Sequence, residues 1–125
     1  MAFQWKEYKE VARYLNTNKE YLPCEEAVLR SAVSRFYYAA FGHAREYAVI
    51  TDKMPRPSGP VAHRLVVEHF QNDPRHAATK TSAMLRELKY WRKLCDYENS
   101  FPTTITPTTM VSRAAVYANN IIEAL

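Results

Sequence analysis

The sequence predicts an all-α domain, a four- to five-helix up-and-down bundle, from three observations. Only two glycines occur in 125 residues. Apolar residues recur at three- and four-residue spacing in five segments, and strand-like alternation is hard to find. The breakers between the segments are short, and short connections imply antiparallel neighbours. A single domain over residues 1–125 is long enough to bury one core without staples. The chain is 47% hydrophobic and 24% charged, a globular composition that excludes disorder.

The first helix is expected from about Phe3 to Tyr14, where Trp5, Tyr8, Val11, Ala12 and then Leu15 fall at helical spacing. "NTNKEYLP" breaks it, and Pro23 suits the first turn of a second helix with Glu25 and Glu26 at its positive end. That helix runs to about Ile50. Its apolar stripe, from Val28 through Phe36, Tyr37, Phe41 and Ala44 to Ala48, is wide enough for neighbours on more than one side. "TDKMPRPSGP" packs three prolines and a glycine into its last six residues and reads as a loop.

A third helix is expected from about Pro60 to Gln71. "NDP" then places Asp73 at the N-cap and Pro74 at the first position of the fourth helix. The core line of that helix is Met84, Leu85, Leu88, Trp91 and Cys95, and it ends near Tyr97. After the connector "SFPTTITP", Thr106 and Pro107 cap the last helix, whose Met110, Val111, Ala114, Ala118, Ile121 and Leu125 share one face.

No apolar run approaches the roughly 20 residues a membrane helix needs, and "MAFQWKEYKE" has no signal-peptide core. The expected location is therefore cytoplasmic, with Cys24 and Cys95 as reduced core residues. The net charge of +4, from 17 basic against 13 acidic side chains, permits an acidic partner without arguing for one. His43, His63, His69 and His76 are scattered, with no pair at i, i+4 on one helix, so spacing predicts no metal site. There is no glycine-rich phosphate loop and no G-x-S-x-G elbow, and no cofactor is expected.

Two segments carry most of the pattern. "RSAVSRFYYAAFGHA" lies on the second helix and "LRELKYWRKLCDYENSFP" ends the fourth. An arginine on an aromatic helix face calls for a carboxylate, so Arg35 is expected to pair with Asp96, with the Tyr38 hydroxyl in the same network. Arg86, Lys89 and Lys93, at i, i+3 and i+7, form a basic ridge opposite Leu88 and Trp91. Such a ridge is either a solvated face or a line of phosphate contacts.

Together the two segments resemble the HEPN superfamily, in particular its small prokaryotic members often encoded beside a minimal nucleotidyltransferase. Arg35, Tyr37, Tyr38, Ala39, Phe41, His43 and Ala44 match the family's R-x-Y-Y-A-x-F-H-A-like run in order. Leu88, Arg92, Asp96 and Tyr97 match its L-x-x-x-R-x-x-x-D-Y run, and His63 takes the place of the usual third-helix histidine, in "VAH" where the family often has "KTH". The resemblance extends from about residue 22 to the end of the chain. It implies a homodimer with a cleft where two fourth helices meet, and a minimal nucleotidyltransferase as partner.

In the catalytic HEPN ribonucleases that cleft carries R-x(4–6)-H. The arginine steadies phosphate charge and the histidine helps activate the ribose 2′-hydroxyl. Here Arg92 is followed, after four intervening residues, by Tyr97, and a phenol is a poor proton acceptor at pH 7. The resemblance therefore implies a catalytically degenerate module that acts by interaction, in a toxin–antitoxin or related defence setting. The alternatives are a metal-independent RNase toxin using Arg92 with His43 or His63, and a non-catalytic RNA- or nucleotide-binding module. In toxin–antitoxin relatives a tyrosine near this motif can accept a nucleotidyl group, a further role open to Tyr97. The pattern R-x4-H also fits Arg64 and His69, but five residues of helix set them about 140° apart. Arg56 and His63 fit R-x6-H across a proline-rich loop, and neither pair lies on the motif helix.

Overall fold

The computed structural model describes residues 2–102 and 104–125, so Thr103 of the "SFPTTITP" connector lies outside the described residues. The chain forms an all-α bundle of five helices: α1 (Tyr8–Thr17), α2 (Glu25–Ile50), α3 (Ala62–Asn72), α4 (Thr81–Tyr97) and α5 (Pro107–Ala124). Helix α2 is the hub and packs on α1, α4 and α5, while α3 lies against α4. Its wide stripe explains this, because a helix that buries Leu29, Val33, Phe36, Tyr37, Ala40, Phe41 and Ala44 needs partners on several sides. Phe36, Phe70, Leu85, Leu88, Met110 and Ile121 fill the centre and are almost completely withdrawn from water. No described helix is long and apolar enough to cross a membrane.

The helix boundaries depart from expectation where the backbone turns left-handed. Cys24 has φ 58° and precedes Glu25, so Pro23 stands outside α2 and not in its first turn. Asp73 does cap, accepting from the Arg75 N–H at 3.0 Å, but the turn it caps is the 3-10 segment Pro74–Thr79. Lys80, at φ 57°, then resets the direction and α4 begins at Thr81. At the far end of the chain expectation holds. The Thr106 hydroxyl accepts from the Thr109 N–H at 3.2 Å, with Pro107 at the first position of α5.

Two close contacts lock α2 to its surroundings. The N-terminal turn Trp5–Glu7 lays the Trp5 ring on Gly42, where an added Cβ would stand 2.3 Å from the ring. Only glycine admits that approach. Arg30, near the start of α2, donates to the carbonyls of Leu94 (3.3 Å), Cys95 (3.1 Å) and Glu98 (2.6 Å), and more weakly to Asn99 (3.4 Å). A guanidinium with several donors thus caps the C-terminus of α4, where helix carbonyls are otherwise unpaired and the dipole is negative. Its position is fixed further by the Phe101 ring at 4.3 Å and by Glu26 at 3.4 Å. Of the two thiols, Cys24 is exposed and Cys95 is buried beside Met110, with burial pushing the Cys95 thiol up to about 12.

Candidate functional site

The candidate site forms where the last three turns of α4 meet the start of α3 and the middle of α2. Arg92 is its centre. It leaves α4 with only 14% of its side chain exposed and meets the Asp96 carboxylate, one turn on, at 3.2 Å. Its guanidinium lies 5.3, 5.7 and 5.8 Å from the ring centres of Tyr37, Tyr38 and Tyr97. An arginine surrounded by π-faces is held by cation–π attraction without losing its charge. The Arg92 Nε is buried and without a hydrogen-bond partner.

The expected pairing of Arg35 with Asp96 does not form. Asp96 is satisfied from its own helix by Arg92 and across the interface by the Ser34 hydroxyl, at 3.4 Å. Arg35 instead stands over the rings of Tyr8, at 5.1 Å, and Tyr38, at 5.7 Å. The physical reason is position. Ser34 already occupies the point of α2 facing Asp96, and Arg35, one residue on, is rotated by about 100° toward α1. Tyr38 consequently sits between two guanidinium groups.

His63 closes the other side. Its Nδ1 lies 2.9 Å from the Tyr37 hydroxyl, and its ring stacks on Phe41 at 5.6 Å. Burial, reinforced by the charges of Lys89, Arg92 and Arg86, pushes its pKa down to about 4, so the imidazole is neutral at pH 7. Burial is also the main reason the Tyr37 phenol is raised. His63, Arg86, Lys89, Tyr90 and Lys93 line a cleft of about 300 Å³. Among the described residues no carboxylate lines it. Lys89 is lowered first by burial and then by Lys93 and Arg92, which marks a concentration of like charge. Arg86 is directed to the neutral amide of Gln71.

The basic ridge forms the cationic wall of this cleft. Arg86, Tyr90, Lys93 and Tyr97 follow one another at intervals of four, three and four residues, so cations and aromatics alternate along one strip of α4. Tyr90 is 52% and Tyr97 71% exposed. Trp91 points the opposite way and stacks on Tyr117 within the bundle.

Arg92, Tyr97, Tyr38, Asp96, His63, Arg86, Lys89 and Lys93 are thus brought to one region, and Arg35 to its edge. His43 stands apart. Its charged neighbours are Lys6 and Lys9, its pKa is lowered chiefly by burial, and its Nε2 is buried without a partner. The two off-helix arginine–histidine patterns do not come together either. Arg56 makes a two-pronged bond to Glu46 at 2.8 Å, Arg64 faces Glu68, and His69 is bound to Asp52. Sequence reasoning missed the partnership of Tyr37 with His63 and the cap supplied by Arg30. Arg30 lies five residues before the matched run, and nothing in the sequence pattern singled it out. Neither a protein-family model, nor a curated protein, nor a solved structure matches this chain.

Proposed function

We propose that the chain is a catalytically degenerate HEPN-like module that acts by binding, as a homodimer and with a minimal nucleotidyltransferase-type partner in a toxin–antitoxin or defence setting. The observation that supports this most is the protonation state around Arg92. Metal-free RNA cleavage needs an acid and a base that exchange protons near neutral pH. Among the described residues the histidine beside Arg92 is His63, whose pKa burial and three cations lower to about 4. At pH 7 it is therefore neutral, cannot serve as the acid and is a weak base. Tyr97 stands where a catalytic histidine would, and Arg92 is engaged by Asp96 and three aromatic rings. Such a site holds charge but does not move protons.

Strong induced expression should leave growth normal, and Arg92→Ala should behave as the parent does. Growth arrest relieved by Arg92→Ala or His63→Ala would restore the ribonuclease reading. A second reading, RNA binding without cleavage, is favoured by the alternating strip on α4. Lysine and arginine track phosphates while exposed aromatics offer stacking faces, the combination used for single-stranded nucleic acid.

A further inference from the structure

A second polar cluster lies away from the Arg92 region, where the end of α2 meets α3 and the 3-10 turn Pro74–Thr79. Helix α2 closes with Lys53 in the left-handed region, at φ 61°, and with the Met54 N–H bonded back to the Ala48 carbonyl at 2.9 Å. This reversal turns Asp52 inward until only 1% of its side chain is exposed. Two imidazoles converge on it. His69 Nε2 is 2.9 Å and His76 Nε2 2.8 Å from the same oxygen, Oδ2. Asp73 brings a second carboxylate, 4.0 Å from His76 Nε2. One ligand atom from each of the four residues lies within 4.8 Å of all the others.

The second Asp52 oxygen, Oδ1, is buried and has no hydrogen-bond partner. Arg75 Nη2 stands 3.3 Å from it without bonding geometry and holds Asp73 Oδ2 at 2.5 Å. Arg75 itself is two-thirds exposed, so it can swing away. A buried carboxylate oxygen left open is costly, and a cation satisfies it. We propose that Asp52, His69, Asp73 and His76 form a structural site for a zinc-like divalent transition ion, with the Arg75 guanidinium in the ion's place when the ion is absent.

The chemistry selects the ion. Two imidazole nitrogens with two carboxylates suit zinc, whereas calcium and magnesium prefer oxygen throughout. Tetrahedral bonds of about 2.0–2.2 Å set neighbouring ligand atoms roughly 3.4 Å apart. The separations of 2.8 and 2.9 Å from Asp52 Oδ2 to the two imidazoles fall below that value and the 4.0 Å from His76 to Asp73 lies above it, so the side chains shift by about half an ångström. Each imidazole gives up the Nε2 proton it shares with the carboxylate, to its Nδ1 or to solvent, as the ion enters. The route to the site is short. His69 and Asp73 also line a surface depression with Leu65, Glu68, Asn72 and Pro74. With four protein ligands no position is left for substrate, so the ion ties three segments together and performs no reaction.

Isothermal titration of the chelator-treated full chain, without a histidine tag, tests this with zinc chloride and magnesium chloride. One zinc per chain should bind, with a higher Tm and no response to magnesium. His69→Gln or His76→Gln should weaken zinc by more than the roughly 10–100-fold typical of an outer-shell partner. Arg75→Ala should tighten zinc, because a competing cation is gone. This variant alters an exposed side chain and keeps the test clear of misfolding at buried His76. The proposal is overturned by no zinc binding, by parent-like zinc affinity in the His69 or His76 variant, by weaker zinc in Arg75→Ala, or by loss of binding in Cys24→Ser.

Discussion

His63, half-buried, and His76, buried, both lie among aromatic rings, yet their surroundings carry opposite charge. Around His63 stand Arg86, Lys89 and Arg92, with no carboxylate in the cleft it lines. Around His76 stand Asp52 and Asp73, with His69 on the same oxygen. One neighbourhood repels protons and attracts anions, and the other gathers donors around a buried negative charge. A histidine's identity therefore says little about its use. The sign of the charge packed around it decides whether the site suits phosphate or a cation.

The strongest way to break this comparison is to remove Asp52 from the His76 cluster and, beside the cleft, Asp96 from Arg92. Asp52→Ala in metal-free protein should cost about 3 kcal/mol by urea unfolding, because two imidazoles lose a buried charged acceptor at once. Asp96→Ala should cost about 1 kcal/mol, since its bond to Arg92 is longer and its side chain is 29% exposed. Equal costs would mean that burial does not separate the two sites.

The positive side is tested by salt. Lys89→Ala combined with Lys93→Ala should weaken single-stranded RNA binding, and the slope of log K against log salt should fall by about 1.4 if both contact phosphate. An unchanged slope would return the ridge to a solvated face. A further test concerns acid. Because His63 is lowered in the folded state, the unfolded chain binds the extra proton between about pH 6.5 and pH 4. Stability should fall as pH drops through that window and be retained above it. His63→Phe should make the decline shallower. A residue of it remains from His43, lowered by burial and by Lys6 and Lys9.

What was legible in the sequence was what neighbouring residues decide. The α5 cap at Thr106 and Pro107, the end of α4 at Tyr97, and the apolar face Met110–Val111–Ala114–Ala118–Ile121 all follow from local pattern. The start of α4 did not, because Asp73–Pro74 opens a 3-10 turn as readily as an α-helix, and Lys80 takes a left-handed conformation usually left to glycine. Charge alone pairs Arg35 with Asp96, while the fold offers Asp96 a partner on its own helix, Arg92, four residues away. The Asp52 cluster was hidden by asking only for two histidines one turn apart. His69 with Asp73 at i+4, and His76 three residues further, was the readable part. Asp52 joins them through a tertiary turn that no spacing reports.

Arg30 has a consequence for how the Arg92 region can respond to a ligand. Because its guanidinium joins the final carbonyls of α4 to the first turns of α2, the end of the motif helix cannot fray independently. Whatever pulls on Tyr97 pulls on α2, and through the Trp5 ring seated on Gly42, on the N-terminal turn as well. The exposed strip of α4 is thereby tied, at its C-terminal end, to the two layers of the bundle that α2 holds together.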